Sequence, residues 1–84
     1  MNEADIKQVI ADELSASGYR ISPEEFAADL ITAGVNSVNL VRVLSALEER
    51  YDIEFDAAGF FREPVTVVRL TEEIVGCVTR RVGI

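Results

Sequence analysis

The sequence predicts an all-α fold: a small four-helix bundle, three long helices plus one short, with a long loop between helices one and two. Three observations lead there. Apolar residues recur at helical spacing in three separate stretches. Capping and stop residues stand at the ends of those stretches. Of the 84 residues, 49% are hydrophobic, which suits one modest core and argues against disorder. A single domain over residues 1–84 is expected, with a stability of about 4–12 kcal/mol.

The first helix is predicted over about residues 2–15. Ile6, Val9, Ile10 and Leu14 share a face, with Asp5, Asp12 and Glu13 elsewhere on the wheel. Asn2 suits the N-cap, Glu3 and Asp5 suit the positive helix end, and Gly18 lies just past the stop. The connection over about residues 16–36 holds Ser22-Pro23-Glu24-Glu25, an N-cap, a first-turn proline and a third-position glutamate. That pattern predicts a short helical turn inside the loop. Phe26 and Leu30 should pin the loop to the core, and Gly34 allows a tight bend.

The second long helix starts at Asn36 or Ser37 and runs to about Arg50, with Leu40, Val43, Leu44, Leu47 and Tyr51 as its inward stripe. Next, Asp56 is placed to cap a short turn through Ala57 and Ala58, which Gly59 weakens and Pro64 ends. The last helix is expected from Thr66, as N-cap, to about Arg81. Val67, Leu70, Ile74, Cys77 and Val78 share one face, and Arg80 and Arg81 complement the helix dipole in the last turn. The β-branched run from Thr66 to Leu70 also fits a strand, but the helical spacing continues to Val78.

Composition excludes several functions. One cysteine and no histidine remove disulfides, most zinc sites and histidine-dependent nucleophiles, and no metal site is expected. A net charge of −7 disfavours nucleic acid and anionic membranes as partners. No apolar run approaches a membrane span, and the acidic start MNEADIKQ does not resemble a signal peptide. A soluble, cytoplasmic, monomeric protein is expected. Cys77 reads as a buried small hydrophobe.

The residue of interest is Ser37. A wheel through the second long helix sets Arg42, Ser45 and Glu49 opposite the buried stripe. Val38 falls among them and Val41 sits at the border, so an apolar patch adjoins the helix start. Helix N-termini carry unpaired amides and a favourable field for anions. A phosphodiester on Ser37 would gain about 0.3–1 kcal/mol there. Nothing near Ser37 in sequence could activate its hydroxyl, so an external enzyme would supply the base. The alternative is that Ser37, or Asn36, is simply an N-cap.

Three strings carry a resemblance. They are Leu30-Ile31-Thr32-Ala33-Gly34-Val35-Asn36-Ser37-Val38, Ala46-Leu47-Glu48-Glu49-Arg50-Tyr51, and Phe60-Phe61-Arg62-Glu63-Pro64-Val65-Thr66-Val67. Together they resemble the acyl carrier protein family, including the peptidyl carrier domains of nonribosomal peptide synthesis. The resemblance spans nearly the whole chain. It implies that a separate phosphopantetheinyl transferase esterifies Ser37, with Asn36 beside it, with 4′-phosphopantetheine from coenzyme A. The arm's thiol would hold an acyl or aminoacyl group as a thioester and bring it from a loading enzyme to downstream synthase or tailoring enzymes. Val38, Val41, Arg42, Ser45, Phe60 and Phe61 would face those partners. If the Phe60–Phe61 segment is helical, one ring packs and the other flanks the arm or a partner.

Departures from the family pattern refine the expectation. Asn36 and Asn39 stand where acids are common, and one valine is inserted between Pro64 and Thr66. Arg42 and Arg50 offset Glu48 and Glu49, so the second long helix is formally neutral. A specialised carrier of polyketide or nonribosomal peptide biosynthesis is expected rather than a fatty-acid housekeeping carrier. Met1 favours a free-standing chain over an excised domain. Glu48, Glu49, Asp52, Glu54 and Asp56 could meet a basic transferase surface or form a solvated acidic face. The competing function is an unmodified, carrier-like docking module. An enzyme is not expected, because the chain is small and lacks histidine.

Overall fold

A computed structural model describes residues 2–82. The order is α1 (Glu3–Ala16), a 3₁₀ turn (Pro23–Glu25), α2 (Ser37–Tyr51), α3 (Ala57–Phe60) and α4 (Val67–Val82). This is the all-α bundle expected, with three long helices, one short, and residues 17–36 linking the first two. No helix among the described residues is long and apolar enough to cross a membrane.

Local chemistry sets the ends of α1. Asn2 accepts the Ala4 N–H at 2.8 Å, and Gly18 turns the chain away at φ 97°. The stripe Ile6, Ile10 and Leu14 is fully buried, and α1 packs against both α2 and α4. At about 1.5–3 kcal/mol per buried large aliphatic side chain, this stripe is a main source of stability.

The long loop is anchored throughout. Ser22 and Glu25 form a reciprocal capping box around the 3₁₀ turn, with Pro23 at its start. The neighbouring Glu24 carboxyl is held below its usual pKa by a backbone hydrogen bond and then by the Ser22 hydroxyl. Leu30 is fully buried and Phe26 packs against the core. Two backbone bonds tie the loop to the start of α4: Leu30 N–H to Val65 O at 2.9 Å and Val68 N–H to Phe26 O at 3.1 Å.

Leu40, Val43, Leu44 and Leu47 bury the inner face of α2, and Tyr51 packs at its margin. Asp52, left-handed at φ 54°, closes the helix by donating its N–H to Glu48 O. Asp56 Oδ1 accepts the Gly59 N–H at 3.2 Å, so Asp56 caps α3 as expected. Residues 67–70 are helical rather than extended. Thr66 Oγ1 accepts the Arg69 N–H at 3.0 Å, and Val67, Leu70 and Ile74 are all fully buried on one face. A helix satisfies its own backbone, whereas a lone strand here would need a partner strand.

One packing expectation is corrected. Cys77 is half-buried rather than enclosed. It lies at the edge of the apolar face, where Arg80 Nη2 donates to its sulfur at 3.3 Å and Glu73 Oε1 lies 3.7 Å away. The Arg81 side chain, expected to complement the last turn, lies outside the described part of the structure.

Candidate functional site

The approach to α2 is a built turn. Asp29 Oδ1 accepts the Ile31 N–H at 3.0 Å, and Asp29 Oδ2 accepts the Thr32 hydroxyl at 3.1 Å. Gly34 then adopts φ 106°, a left-handed conformation that disfavours a side chain, and Val35 plunges into the core at 2% exposure. With Val35 inward, the next residues emerge at the surface.

Asn36 is the N-cap of α2. Its Oδ1 accepts the Val38 N–H at 2.7 Å, and its carbonyl accepts the Leu40 N–H at 2.9 Å. Ser37 is therefore the first helical residue and does not carry the capping bond. Its side chain is exposed, and its hydroxyl bonds to no group among the described residues. Of the two capping candidates, Asn36 makes the bond, and the Ser37 hydroxyl is left without one. Because Asn36 takes the Val38 amide, an anion on Ser37 would draw on the helix dipole and the remaining first-turn amides.

The partner-facing set divides. Val38 is 63% exposed and Val41 48%, and Arg42 and Ser45 are exposed on the same helix. These four lie together on the outer side of α2. Phe61 is exposed, but Phe60 is not. Phe60 packs edge-on against Phe55 at 5.7 Å between ring centroids, with the Arg69 guanidinium 4.3 Å over its face. The expectation that Phe60 faces partners is thus corrected: of the adjacent pair, it is the ring that packs. α3 ends at Phe60, and Phe61 follows it at the surface.

Of the acidic residues, Glu49 and Glu54 face solvent, whereas Glu48 is committed internally. Its Oε2 accepts the Phe55 N–H at 2.8 Å and holds the segment between α2 and α3. Two residues were not legible as part of this region. Ile31 is an exposed hydrophobe that borders a concavity with Phe61, Pro64 and Val65. Tyr19 reaches from the end of α1, and its Oη accepts the Asn36 N–H at 3.3 Å and Asn39 Nδ2 at 2.9 Å. Nothing in the linear spacing signals that contact, because it forms across the long loop.

A helical bundle that presents an exposed serine hydroxyl at the first position of a long helix, with the cap supplied by its neighbour, is suited to carrying a covalent group. A family model described as "Phosphopantetheine attachment site" matches residues 4–74. Among curated proteins, the chain is similar to an "Acyl carrier protein" of Helicobacter pylori (strain J99 / ATCC 700824). That match is 41% identical over 51 residues, 60% of this chain and 62% of the relative. It is also similar to an "Acyl carrier protein" of Nitratidesulfovibrio vulgaris (strain DP4), 34% identical over 55 residues, 64% of this chain and 68% of the relative. The match thus spans less than two thirds of the Helicobacter pylori relative's length. No solved structure matches the chain. The chain belongs to the acyl carrier protein family, and its cofactor is a covalently attached 4′-phosphopantetheine. The α2 start fits that group, since it offers a free hydroxyl, open surroundings and a favourable dipole.

Proposed function

We propose that the chain is a single carrier domain, residues 1–84, with 4′-phosphopantetheine attached through Ser37 Oγ. The observation that carries this reading is the exposed Ser37 hydroxyl, left without a structural task because Asn36 makes the capping bond. In the attachment step, Ser37 Oγ forms a bond to phosphorus and the pyrophosphate bond of coenzyme A breaks. The adenosine bisphosphate half departs, and the serine proton passes to a base of the transferase. This chain has no histidine to serve as that base.

Once attached, the arm supplies a terminal thiol that carries an acyl or aminoacyl group as a thioester. The chain's own residues provide the address. Val38 and Val41 offer apolar contact, while Arg42 and Ser45 offer polar contact beside it. Partners of three kinds follow: a phosphopantetheinyl transferase, a loading enzyme, and downstream synthase or tailoring enzymes. The protein works as a monomer in the cytoplasm, without nucleic acid or membrane.

We place the carrier in polyketide or nonribosomal peptide biosynthesis because its α2 surface is not strongly acidic. Arg42 and Arg50 balance Glu48 and Glu49, and Glu48 is turned to the Phe55 amide. Interface charge governs partner choice and encounter rate more than affinity, so this balance suits a dedicated partner set.

The test is incubation with coenzyme A, magnesium and a broad-specificity phosphopantetheinyl transferase. Intact-protein mass spectrometry should show a pantetheinyl mass gain that disappears in Ser37→Ala. No gain with several such transferases would favour an unmodified docking module. The pathway assignment is checked separately by the mass of the load on protein purified from its native host.

A further inference from the structure

Tyr19 occupies a junction that the carrier reading does not use. Its ring packs against the core at the end of α1, and its Oη meets the first turn of α2. Two N–H groups converge on that oxygen, from the Asn36 backbone at 3.3 Å and from Asn39 Nδ2 at 2.9 Å. Asn36 is thereby held at three points. Its N–H goes to Tyr19, its Oδ1 takes the Val38 N–H, and its carbonyl takes the Leu40 N–H. Ser37 follows through one peptide bond and has little freedom to reorient.

Tyr19 is only half-buried, so water could satisfy its hydroxyl. Asn36 and Asn39 are likewise within reach of solvent. Burial alone does not require these three groups to meet. Their meeting restricts the residue before Ser37 and the residue two beyond it.

Resting on Ser37 as the attachment point, we propose that Tyr19 and Asn39 are a positioning pair for that serine. They hold the start of α2 so that the hydroxyl meets an incoming transferase in a reactive orientation. Docking is left to Val38, Val41 and Arg42, none of which touches Tyr19 through a hydrogen bond in the structure. The pair therefore acts on the rate of transfer within the complex rather than on formation of the complex. Small misplacements of a nucleophile lower that rate steeply.

Tyr19→Phe removes the hydroxyl and keeps the ring, and Asn39→Ala removes the amide alone. The experiment measures transfer of phosphopantetheine from coenzyme A to the apo protein, well below each variant's melting midpoint. The single-turnover rate at saturating carrier should fall about three- to tenfold in Tyr19→Phe, at an unchanged half-saturating carrier concentration. Asn39→Ala should lose less, and the double variant should be no slower than Tyr19→Phe alone. Amide exchange at Asn36 should quicken in Tyr19→Phe while that at Leu47 does not. An unchanged rate in Tyr19→Phe, or a loss confined to the half-saturating concentration, overturns the positioning role. If the unsubstituted protein takes no arm on Ser37, the attachment reading fails and this one with it.

Discussion

At the scale of single residues, the exchange between Asn36 and Ser37 decides what the site can do. Asparagine and serine are both favoured N-caps, so spacing alone left either residue able to cap α2. The fold selects Asn36 because Val35 must reach the core, which sets Asn36 in an extended conformation at φ −66° and ψ 138°. Asn36→Ala should lower stability by about 0.5–2 kcal/mol in urea denaturation through loss of the cap. Asn36→Asp keeps an acceptor oxygen and adds a charge that the helix start favours, so it should be neutral or stabilising by about 0.3–1 kcal/mol. If Asn36→Ala were neutral in the same measurement, the cap would not be bearing on the fold.

At the scale of elements, α3 depends on its neighbours more than on its own four residues. Helices this short are not stable by propensity. α3 is held at its start by Asp56 and at its end by Arg69, which reaches across from α4. The two N–H groups of Arg69 Nη1 are shared among three carbonyls, those of Phe60 and Glu63 at 3.2 and 3.1 Å and that of Pro64. Its guanidinium plane lies over Phe60 as well. Arg69→Ala should cost about 1–2 kcal/mol in urea denaturation and raise amide exchange over residues 57–63, with α1 unaffected. Arg69→Lys should recover only part of the loss, since an ammonium keeps N–H donors but cannot lay a flat guanidinium over the Phe60 ring. Equal exchange in all helices of Arg69→Ala would count against a local clamp. The cap on α3 was visible in the sequence at Asp56. The Arg69 clamp was not, because its acceptors are backbone carbonyls that carry no residue signature.

At the scale of the whole molecule, α2 works on both faces. Its inner stripe joins α1 and α4 in one core, and its outer side presents Val38 and Val41. Leu44→Ala should destabilise by about 2–5 kcal/mol in urea denaturation, a large share of the total for a domain this small. Val38→Ala should change stability by no more than about 0.5 kcal/mol while weakening productive encounter with partner enzymes. A Val38→Ala variant that unfolds as readily as Leu44→Ala would place Val38 in the core and remove it from the docking surface. By itself, the sequence determined the helical class, the long helices to within a residue or two, the 3₁₀ turn and the serine to consider, because periodicity, caps and turns are local and written in side-chain type. Only the tertiary structure decided that Phe60 packs and Phe61 does not, that Cys77 stays at the margin, that Glu48 serves the Phe55 amide, and that Tyr19 braces Asn36. Those outcomes turn on how neighbouring segments pack in three dimensions, with only the Tyr19 contact crossing the long loop, and spacing along the chain does not encode where such contacts fall.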